Sequence, residues 1–432
     1  FRRDGYSAFG QENPNSTFPS IALGWSFSDE HFMKSAKWLN YGKLRVSWGI
    51  NGNRDIGRYQ ALSDLATGKY QYITPAGTIV SVGQLYVNRL QNANLKWEKT
   101  TSYNIGLDFG VLDNRLSGSI DVYRKETRDL LILRALPDVS GFTNVLDNLG
   151  QVNNQGIELS LNSSNINAKN FSWRTSVNFS LNRNKIIHLY GPVNVIDPVT
   201  GKVTGQIEKD DVANRWFIGH DINAVWDLKV LGVWQQSELT EAAKYGVRPG
   251  DFKVQDVNKD NKFSDADRQF VGNTNPKYRW TVRNDFTFFK NFDFSFMLYA
   301  VWGQDIAFNE AKNNTGFIDR QNSYKFPYWT QEHPTNDYAR LFSSNGSAGF
   351  SVYRKGSFIR LNTVALGYTL PKALVQKARL ESLKIYANVT NLGVYAPDWT
   401  FWDPEFRNRD ANGNITIAIP PRYYTLGLNV TF

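Results

Sequence analysis

Apolar and polar residues alternate without a break along the last stretch of the chain, residues 422–432. Side chains of a β-strand point to opposite faces with a period of two, so this stretch predicts a strand with one apolar and one polar face. The apolar face carries Tyr424, Leu426, Leu428, Val430 and Phe432. Such a long terminal strand would promote aggregation in a soluble sheet, whereas in a membrane barrel its apolar face contacts lipid. A terminal strand of a soluble β-sandwich is the alternative interpretation of this stretch alone.

The same alternation predicts about eleven strands in all, many of them ten or more residues long. In the clearest one, residues 171–182, the face opposite the apolar one is uniformly polar: Ser172, Arg174, Ser176, Asn178, Ser180 and Asn182. One segment changes phase near Thr363, which predicts a β-bulge. Globular strands average about 5–6 residues and tilted membrane-crossing strands need about 9–11, so the lengths favour a membrane sheet.

Short and long connections alternate between these predicted strands. The short ones are 28–42, 110–115, 162–170, 290–291 and 371–382, and the long ones are 51–100, 127–144, 185–275, 304–357 and 391–421. Outer-membrane barrels have short periplasmic turns and long extracellular loops. The pattern therefore predicts an all-β fold, an antiparallel transmembrane β-barrel with long extracellular loops, whose closing strand ends in the periplasm. Residues 371–380 are expected to form a short helical turn on the periplasmic side.

Composition narrows the function classes. Aromatic residues make up 14% of the 432 residues, which fits the aromatic girdles of membrane barrels. No apolar run is long enough for a transmembrane helix, and the absence of cysteine excludes disulfides, thiol catalysis and Cys-based metal sites. The net charge of +9 is spread along the chain, so nucleic-acid binding is not expected.

Motifs of catalysis are absent, and we expect the chain not to be an enzyme. The four histidines have no metal-ligand spacing: His31, His188, His220 and His333. Neither a nucleophile elbow nor a phosphate-binding loop occurs.

One segment within the longest loop, residues 256–267, follows the spacing of a twelve-residue calcium loop. The oxygen ligands would come from Asp256, Asn258, Asp260, the Lys262 carbonyl, Ser264 and Asp267. Asn261 replaces the usual glycine, although asparagine tolerates the left-handed conformation, and the last position carries Asp in place of Glu. The alternative is an Asx-rich turn stabilised by its own side chains. The ion would be structural, not catalytic.

The long loops also carry candidate substrate-binding aromatic residues, because sugar rings stack on flat aromatic faces. These are Trp216, Trp226, Trp234, Trp329, Trp399 and Trp402. For any single one of them, packing of loop against loop or a position at the membrane interface is the favoured interpretation.

Several short stretches together resemble the SusC/RagA family of TonB-dependent outer-membrane importers of Bacteroidota. Residues 2–10 (RRDGYSAFG) are similar to the family's RRDGSSRFG stretch. Further stretches typical of the family follow in order: FPSIALGW at 18–25, LRVSWG at 44–49, NNQGIE at 153–158, PGD at 249–251 and VTNL at 389–392. The closing strand, with Phe432 at its end, resembles the C-terminal assembly signal of outer-membrane barrels.

The resemblance implies a 22-stranded barrel plugged by an N-terminal domain, of which residues 1–432 would be the C-terminal part. The plug domain and N-terminal strands are expected to lie outside this sequence, since its first residues contain no signal peptide and look like the end of an earlier strand. The implied partners are a SusD-like surface lipoprotein, TonB, outer-membrane lipid and a cargo of oligosaccharides or oligopeptides. The implied location is the outer membrane of a Gram-negative bacterium of the Bacteroidota type.

Two other functions stay open on the sequence alone. A passive porin or structural barrel would share the strand pattern but lack a plug. A soluble carbohydrate-binding β-protein is disfavoured by the polar lining opposite an aromatic face.

Overall fold

The computed structural model describes residues 1–9, 12–312, 327–343, 349–400, 402–405, 408–409, 415–416 and 420–432. The chain divides into two compact units. The first comprises Phe1–Leu161 and Ser180–Ile222, and the second comprises Asn162–Phe179 and Asn223–Phe432.

The first unit consists of strands and short connecting 3-10 helices. Its strands are β1 (Arg2–Gly5), β2 (Asn15–Phe18), β3 (Ser20–Trp25), β4 (Leu39–Asn53), β5 (Asp64–Ile73), β6 (Ile79–Arg89), β7 (Glu98–Val111), β8 (Leu116–Ala135), β9 (Asn144–Ala168), β10 (Phe171–His188), β11 (Val193–Ile196) and β12 (Val203–Ile207). The 3-10 helices are Phe27–Asp29, His31–Met33 and Asp138–Ser140. Strands β9 and β10 also contribute residues to the second unit.

The second unit adds two short α-helices to its strands. The strands are β13 (Ala224–Leu228), β14 (Val230–Val233), β15 (Phe252–Val254), β16 (Arg268–Asn273), β17 (Tyr278–Phe288), β18 (Phe292–Trp302), β19 (Asp305–Ala307), β20 (Tyr353–Lys355), β21 (Phe358–Thr369), β22 (Ser382–Tyr395), β23 (Asn408–Arg409), β24 (Ile415–Thr416) and β25 (Tyr423–Thr431). The helices are α1 (Leu239–Lys244) and α2 (Lys372–Val375), with 3-10 helices at Gln236–Glu238, Asp265–Asp267, Asn309–Lys312 and Gln376–Ala378.

Eleven strands form one hydrogen-bonded sheet, in the order β25-β22-β21-β18-β17-β10-β9-β8-β7-β4-β3. Every sheet pairing with a described register is antiparallel. The predicted strands, about eleven, are confirmed as the strands of this sheet, and the sequence analysis did not predict the other strands. Strands β3 and β25 end the order, so among the described residues each has a strand partner on one side only.

The register keeps apolar residues opposite apolar residues. Between β17 and β18, Val282 lies opposite Leu298 and Phe286 lies opposite Phe294. The alternate positions pair polar residues, such as Asp285 with Ser295. A slip of one residue would move every apolar side chain of a strand to the other face, so this pattern fixes the register.

The predicted bulge in β21 is confirmed. Register shifts occur between Leu361 and Thr363 on the side of β22, and between Met297 and Leu298 on the side of β18. Leu361 pairs with Leu298 and Val364 pairs with Phe296, two residues on one face of β18. The extra residue therefore returns both halves of β21 to the same apolar face.

Aromatic rings form a ladder across the apolar face of the second unit. Phe286 stacks on Trp173, with ring centroids 5.8 Å apart, and also lies next to Phe294 and Phe296 at 5.9 and 6.2 Å. Such cross-strand aromatic pairs stabilise neighbouring strands beyond the area that they bury.

A buried asparagine interrupts this apolar face, which the sequence analysis did not predict. Asn284 lies between Val282 and Phe286 along β17 and is 8% exposed. Its Oδ1 accepts hydrogen bonds from Trp173 Nε1 (2.8 Å) and from the Thr175 hydroxyl (2.7 Å). Because an unpaired polar group in hydrocarbon costs several kcal/mol, these bonds make the asparagine compatible with the face.

The prediction that short and long connections alternate throughout the chain is wrong at one position. Residues 127–144 were expected to form a long loop, but β8 extends to Ala135 and β9 begins at Asn144. The two strands have twenty and twenty-five residues, so the connection shrinks to 136–143. By contrast, the expected helical turn at 371–380 is present as α2 and the adjoining 3-10 helix. No helix among the described residues combines the length and the apolar character needed to cross a membrane.

Candidate functional site

Three long connections in the second unit pack around one hydrophobic core, which we call the loop core. They precede β17, follow β18 and follow β22. The buried residues of the loop core are Leu228, Val233, Phe252, Val254, Ile306, Phe308, Ala311, Trp329, Tyr338, Ala339, Phe350, Val352, Trp399 and Trp402. Because each connection covers apolar side chains of the others, the loops are held as one packed body.

A buried carboxylate, Asp227, joins two of these connections. It is 1% exposed, and its Oδ1 accepts a hydrogen bond from Arg268 Nη1 at 2.5 Å. Its Oδ2 accepts a bond from the backbone N–H of Ser351 at 3.0 Å, across to the connection that follows β18. Arg268 also donates to the carbonyl of Gly349 (2.7 Å), so both side chains of this ion pair form hydrogen bonds to the connection that follows β18.

The stretch PGD at 249–251 has a structural role in the loop core. Gly250 adopts φ of +89°, and a Cβ there would lie 2.6 Å from the Trp329 ring, so a side chain is excluded. Asp251 is fully buried, accepts the N–H of Arg248 (3.0 Å) and pairs with Arg340 Nε at 3.0 Å. The backbone N–H of Arg340 donates to the Gly250 carbonyl at 2.7 Å. These contacts anchor the segment around Arg340 to the connection that precedes β17.

A second buried cation, Arg360, lies where β21 begins. It is 2% exposed and donates to Tyr299 Oη (3.0 Å), Asn391 Oδ1 and Asp403 Oδ1 (2.5 Å). Glu405 accepts the Tyr299 hydroxyl and lies 3.3 Å from the Arg360 guanidinium. Two carboxylates therefore neutralise Arg360 and fix residues 403–405 against the strands.

Four of the six candidate tryptophans are buried. Trp329, Trp399 and Trp402 belong to the loop core, and Trp234 packs with Ala242 and Val247 in a neighbouring cluster. The three tryptophans of the loop core pack loop against loop, which is the interpretation that the sequence analysis favoured, whereas Trp234 packs within its own connection.

The other two tryptophans are partly accessible. Trp226 lies under the Arg268 guanidinium at 5.8 Å, and Trp216 belongs to the first unit, where its backbone pairs with Asp211. The structure therefore does not bring the six tryptophans together, and their predicted contact with substrate stays a prediction.

The calcium-like segment forms a network of Asx turns. Asp256 accepts backbone N–H groups of Lys259 (2.7 Å) and Asn261 (3.0 Å), and Asp260 accepts that of Lys262 (2.8 Å). Asp267 is fully buried and accepts the N–H groups of Val257 (2.8 Å) and Ser264 (3.0 Å).

The backbone of this segment adopts the shape expected of a calcium loop at one diagnostic position. Asn261 has φ of +61°, the left-handed conformation that the sixth position requires. However, no group of three or more His, Cys, Asp or Glu side chains among the described residues is placed to hold a metal ion. Burial raises the pKa of Tyr245, and the charge of Asp256 and a hydrogen bond to it raise this pKa further. The tyrosine ring stacks on Phe263 at 4.7 Å, which ties the segment to α1. Ion binding by this segment stays a prediction.

Sequence reasoning missed the buried ion pairs of the loop core. One signal for them was present, since Asp227 stands inside the apolar run Val225-Trp226-Asp227-Leu228. A charged residue in such a run is buried only when it is paired. Its partner, Arg268, lies in another strand and could not be identified by spacing.

Residues 1–392 match the family described as TonB dependent receptor-like, beta-barrel. The chain belongs to this family of TonB-dependent receptors. Such receptors are outer-membrane proteins of Gram-negative bacteria, so the apolar face with its aromatic ladder is the face expected to meet lipid.

Two curated TonB-dependent receptors match the chain over its whole length. The chain is 33% identical over 450 residues to TonB-dependent receptor P26 of Formosa agariphila, and this match covers 44% of the P26 protein. The chain is 31% identical over 460 residues to the TonB-dependent receptor SusC of Bacteroides thetaiotaomicron, and this match covers 41% of the SusC protein. The resemblance to the SusC/RagA family is confirmed. The chain spans less than half the length of these curated relatives.

Two solved structures share the fold of the chain. One is the RagAB peptide importer in the open-open state, which has a TM-score of 0.75 and 23% sequence identity. The match covers 99% of the chain and 44% of the importer chain. The other is the structure of the RagAB peptide transporter, which has a TM-score of 0.73 and 23% sequence identity. The match covers 100% of the chain and 45% of the transporter chain. The predicted all-β, antiparallel barrel fold is confirmed.

Proposed function

We propose that the chain supplies barrel strands and external loops to an outer-membrane importer that takes up oligosaccharides or oligopeptides with energy from TonB. The match of the entire chain to the TonB-dependent receptor SusC carries this proposal. The loop core supports it, because a packed body of long loops offers a cargo an ordered surface in place of flexible segments.

A SusD-like surface lipoprotein is the partner proposed to cover this surface. The support is the resemblance of the sequence to the SusC/RagA family and the similarity in fold to the RagAB importer. TonB would supply the energy, and no residue of the chain is assigned to the contact with it.

Energy dependence of uptake tests the importer function. Cells that carry the receptor are given a fluorescent oligosaccharide or a fluorescent oligopeptide, and uptake is measured with and without TonB. We expect uptake of one class of cargo and its loss in cells without TonB. Uptake that persists without TonB would identify a passive porin instead.

We also propose that the segment 256–267 binds a calcium ion that stabilises its loop. We expect calcium to slow proteolysis of the loop in the receptor, and the double substitution Asp256→Ala with Asp260→Ala to abolish both this protection and the bound metal. Asp265→Ala is the matched control, because Asp265 lies in the same segment at a position that is not a predicted ligand. Equal protease sensitivity with calcium and with chelator would leave the Asx turns as the whole explanation.

A further inference from the structure

A cavity of about 750 Å³ lies in the second unit between the end of β22 and the connection that follows it. Its lining includes Asn391 and Tyr395 of β22, Trp399 and Trp402 of the loop core, and Arg422 just before β25. The volume is in the range of small-molecule sites, which are about 300–1,000 Å³.

Flat apolar groups form much of its wall. Besides the aromatic residues, the prolines Pro404, Pro420 and Pro421 line the cavity. Asn391 Nδ2 donates to the Pro420 carbonyl at 3.1 Å, which holds one proline segment beside the end of β22. Trp399 and Trp402 back this wall from the buried side, and the rings open to a ligand are those of Tyr395, Pro420 and Pro421. Such rings at fixed positions suit a ligand with a flat ring face.

The two arginines of the lining differ in their charge balance. Arg360 is buried and already pairs with two carboxylates, those of Asp403, which also lines the cavity, and Glu405. Arg422 is exposed, and its Nε donates to the Asn391 carbonyl at 3.2 Å. Within the part of the chain that the structure describes, Arg422 has no carboxylate partner.

The bond to Asn391 holds the Arg422 side chain beside the cavity, and among the described residues its two terminal nitrogens have no acceptor. A guanidinium binds carboxylate or sulfate oxygens through two parallel N–H groups. The cavity thus combines ring-binding walls with one guanidinium, that of Arg422, which pairs with no carboxylate among the described residues.

We propose that this cavity is a subsite for an acidic sugar residue, whose ring packs on the proline and aromatic wall while its carboxylate or sulfate pairs with Arg422. The proposal rests on the importer function, and it narrows the cargo to anionic oligosaccharides. Because Arg360 already pairs with two carboxylates of the protein, Arg422 is the residue that would select for charge.

Binding to the full-length receptor in detergent tests the proposal by calorimetry at low salt. The ligands are a disaccharide that contains glucuronate, its neutral glucose counterpart and an acidic dipeptide. We expect Arg422→Gln to weaken binding of the acidic disaccharide by about tenfold, as loss of a charged hydrogen bond does, and to leave the neutral one unchanged. Arg422→Lys keeps the charge and is expected to retain part of the affinity.

Lys377→Gln is the matched control, because it removes an exposed positive charge next to α2, on the other side of β22 in the sequence. An equal loss of affinity in this variant would show a general charge effect and overturn the subsite. If Arg422→Gln weakened binding of the acidic dipeptide but not of the acidic disaccharide, the assignment of the subsite to a sugar would be wrong. The calorimetry measures binding in the absence of TonB and therefore tests the subsite alone. Uptake by cells without TonB would refute the importer function but would not change the calorimetric result.

Discussion

Asp227→Ala is expected to destabilise the loop core by about 3–5 kcal/mol, because it leaves the Arg268 charge buried without its closest partner. The substitution also removes the acceptor for the N–H of Ser351, which joins the connection that follows β18 to β13. We expect amide hydrogen exchange in β13, β14 and β15 of the receptor to accelerate by about 10²- to 10⁴-fold.

Asp265→Ala supplies the control, since Asp265 pairs with the same arginine at 2.7 Å but its side chain is 85% exposed. Exposed ion pairs contribute less than about 1 kcal/mol, so exchange in these strands should change little. Similar exchange in the two variants would mean that burial of Asp227 has no energetic role.

Val177→Arg is expected to reduce the stability of the folded receptor in lipid vesicles by about 2–4 kcal/mol. Val177 lies on the apolar face of β10, between Thr175 and Phe179 along the strand, which is the face expected to meet hydrocarbon in an outer-membrane barrel. Urea titration of folding in vesicles, followed by the heat-dependent shift of the barrel on gels, measures the loss.

Asn178→Arg tests the opposite face at the next residue. Asn178 is exposed on the polar face, where an arginine contacts water. We expect this variant to fold as well as the unmodified receptor. Equal destabilisation by the two substitutions would show that the faces of β10 are assigned in the wrong order.

The strands of the sheet were predictable because a period of two is a local property of the sequence. Each residue of β17 or β25 indicates its face by its own polarity, and even the bulge at Thr363 appears as a change of phase. The ends of β8 and β9 were not predictable in this way. Residues 127–135 and 144–153 mix charged, polar and apolar residues, so β8 and β9, which are neighbours in the sheet, continue there without the alternation.

The loop core was beyond sequence reasoning for a different reason. Its contacts join residues that are far apart in the sequence, such as Phe308 with Trp399, whose rings lie 5.4 Å apart. Apolar residues in a loop show that something is buried but not which segment buries it. The tryptophans that looked available for sugar stacking are for this reason mostly the interior of the loops.

The role of Phe432 is still a prediction. The residue lies at the end of β25 and is 90% exposed, which is compatible with its recognition by an assembly machinery.

The shared interior of the long loops limits how this receptor can acquire new cargo. Transplanting the connection that follows β22 from a relative would remove Trp399 and Trp402, and Phe308 would lose the rings that it packs against. A single-loop chimera would therefore misfold unless its neighbours are exchanged with it. Recombination within this family should succeed when breakpoints fall in the strands and the connections before β17, after β18 and after β22 are inherited together.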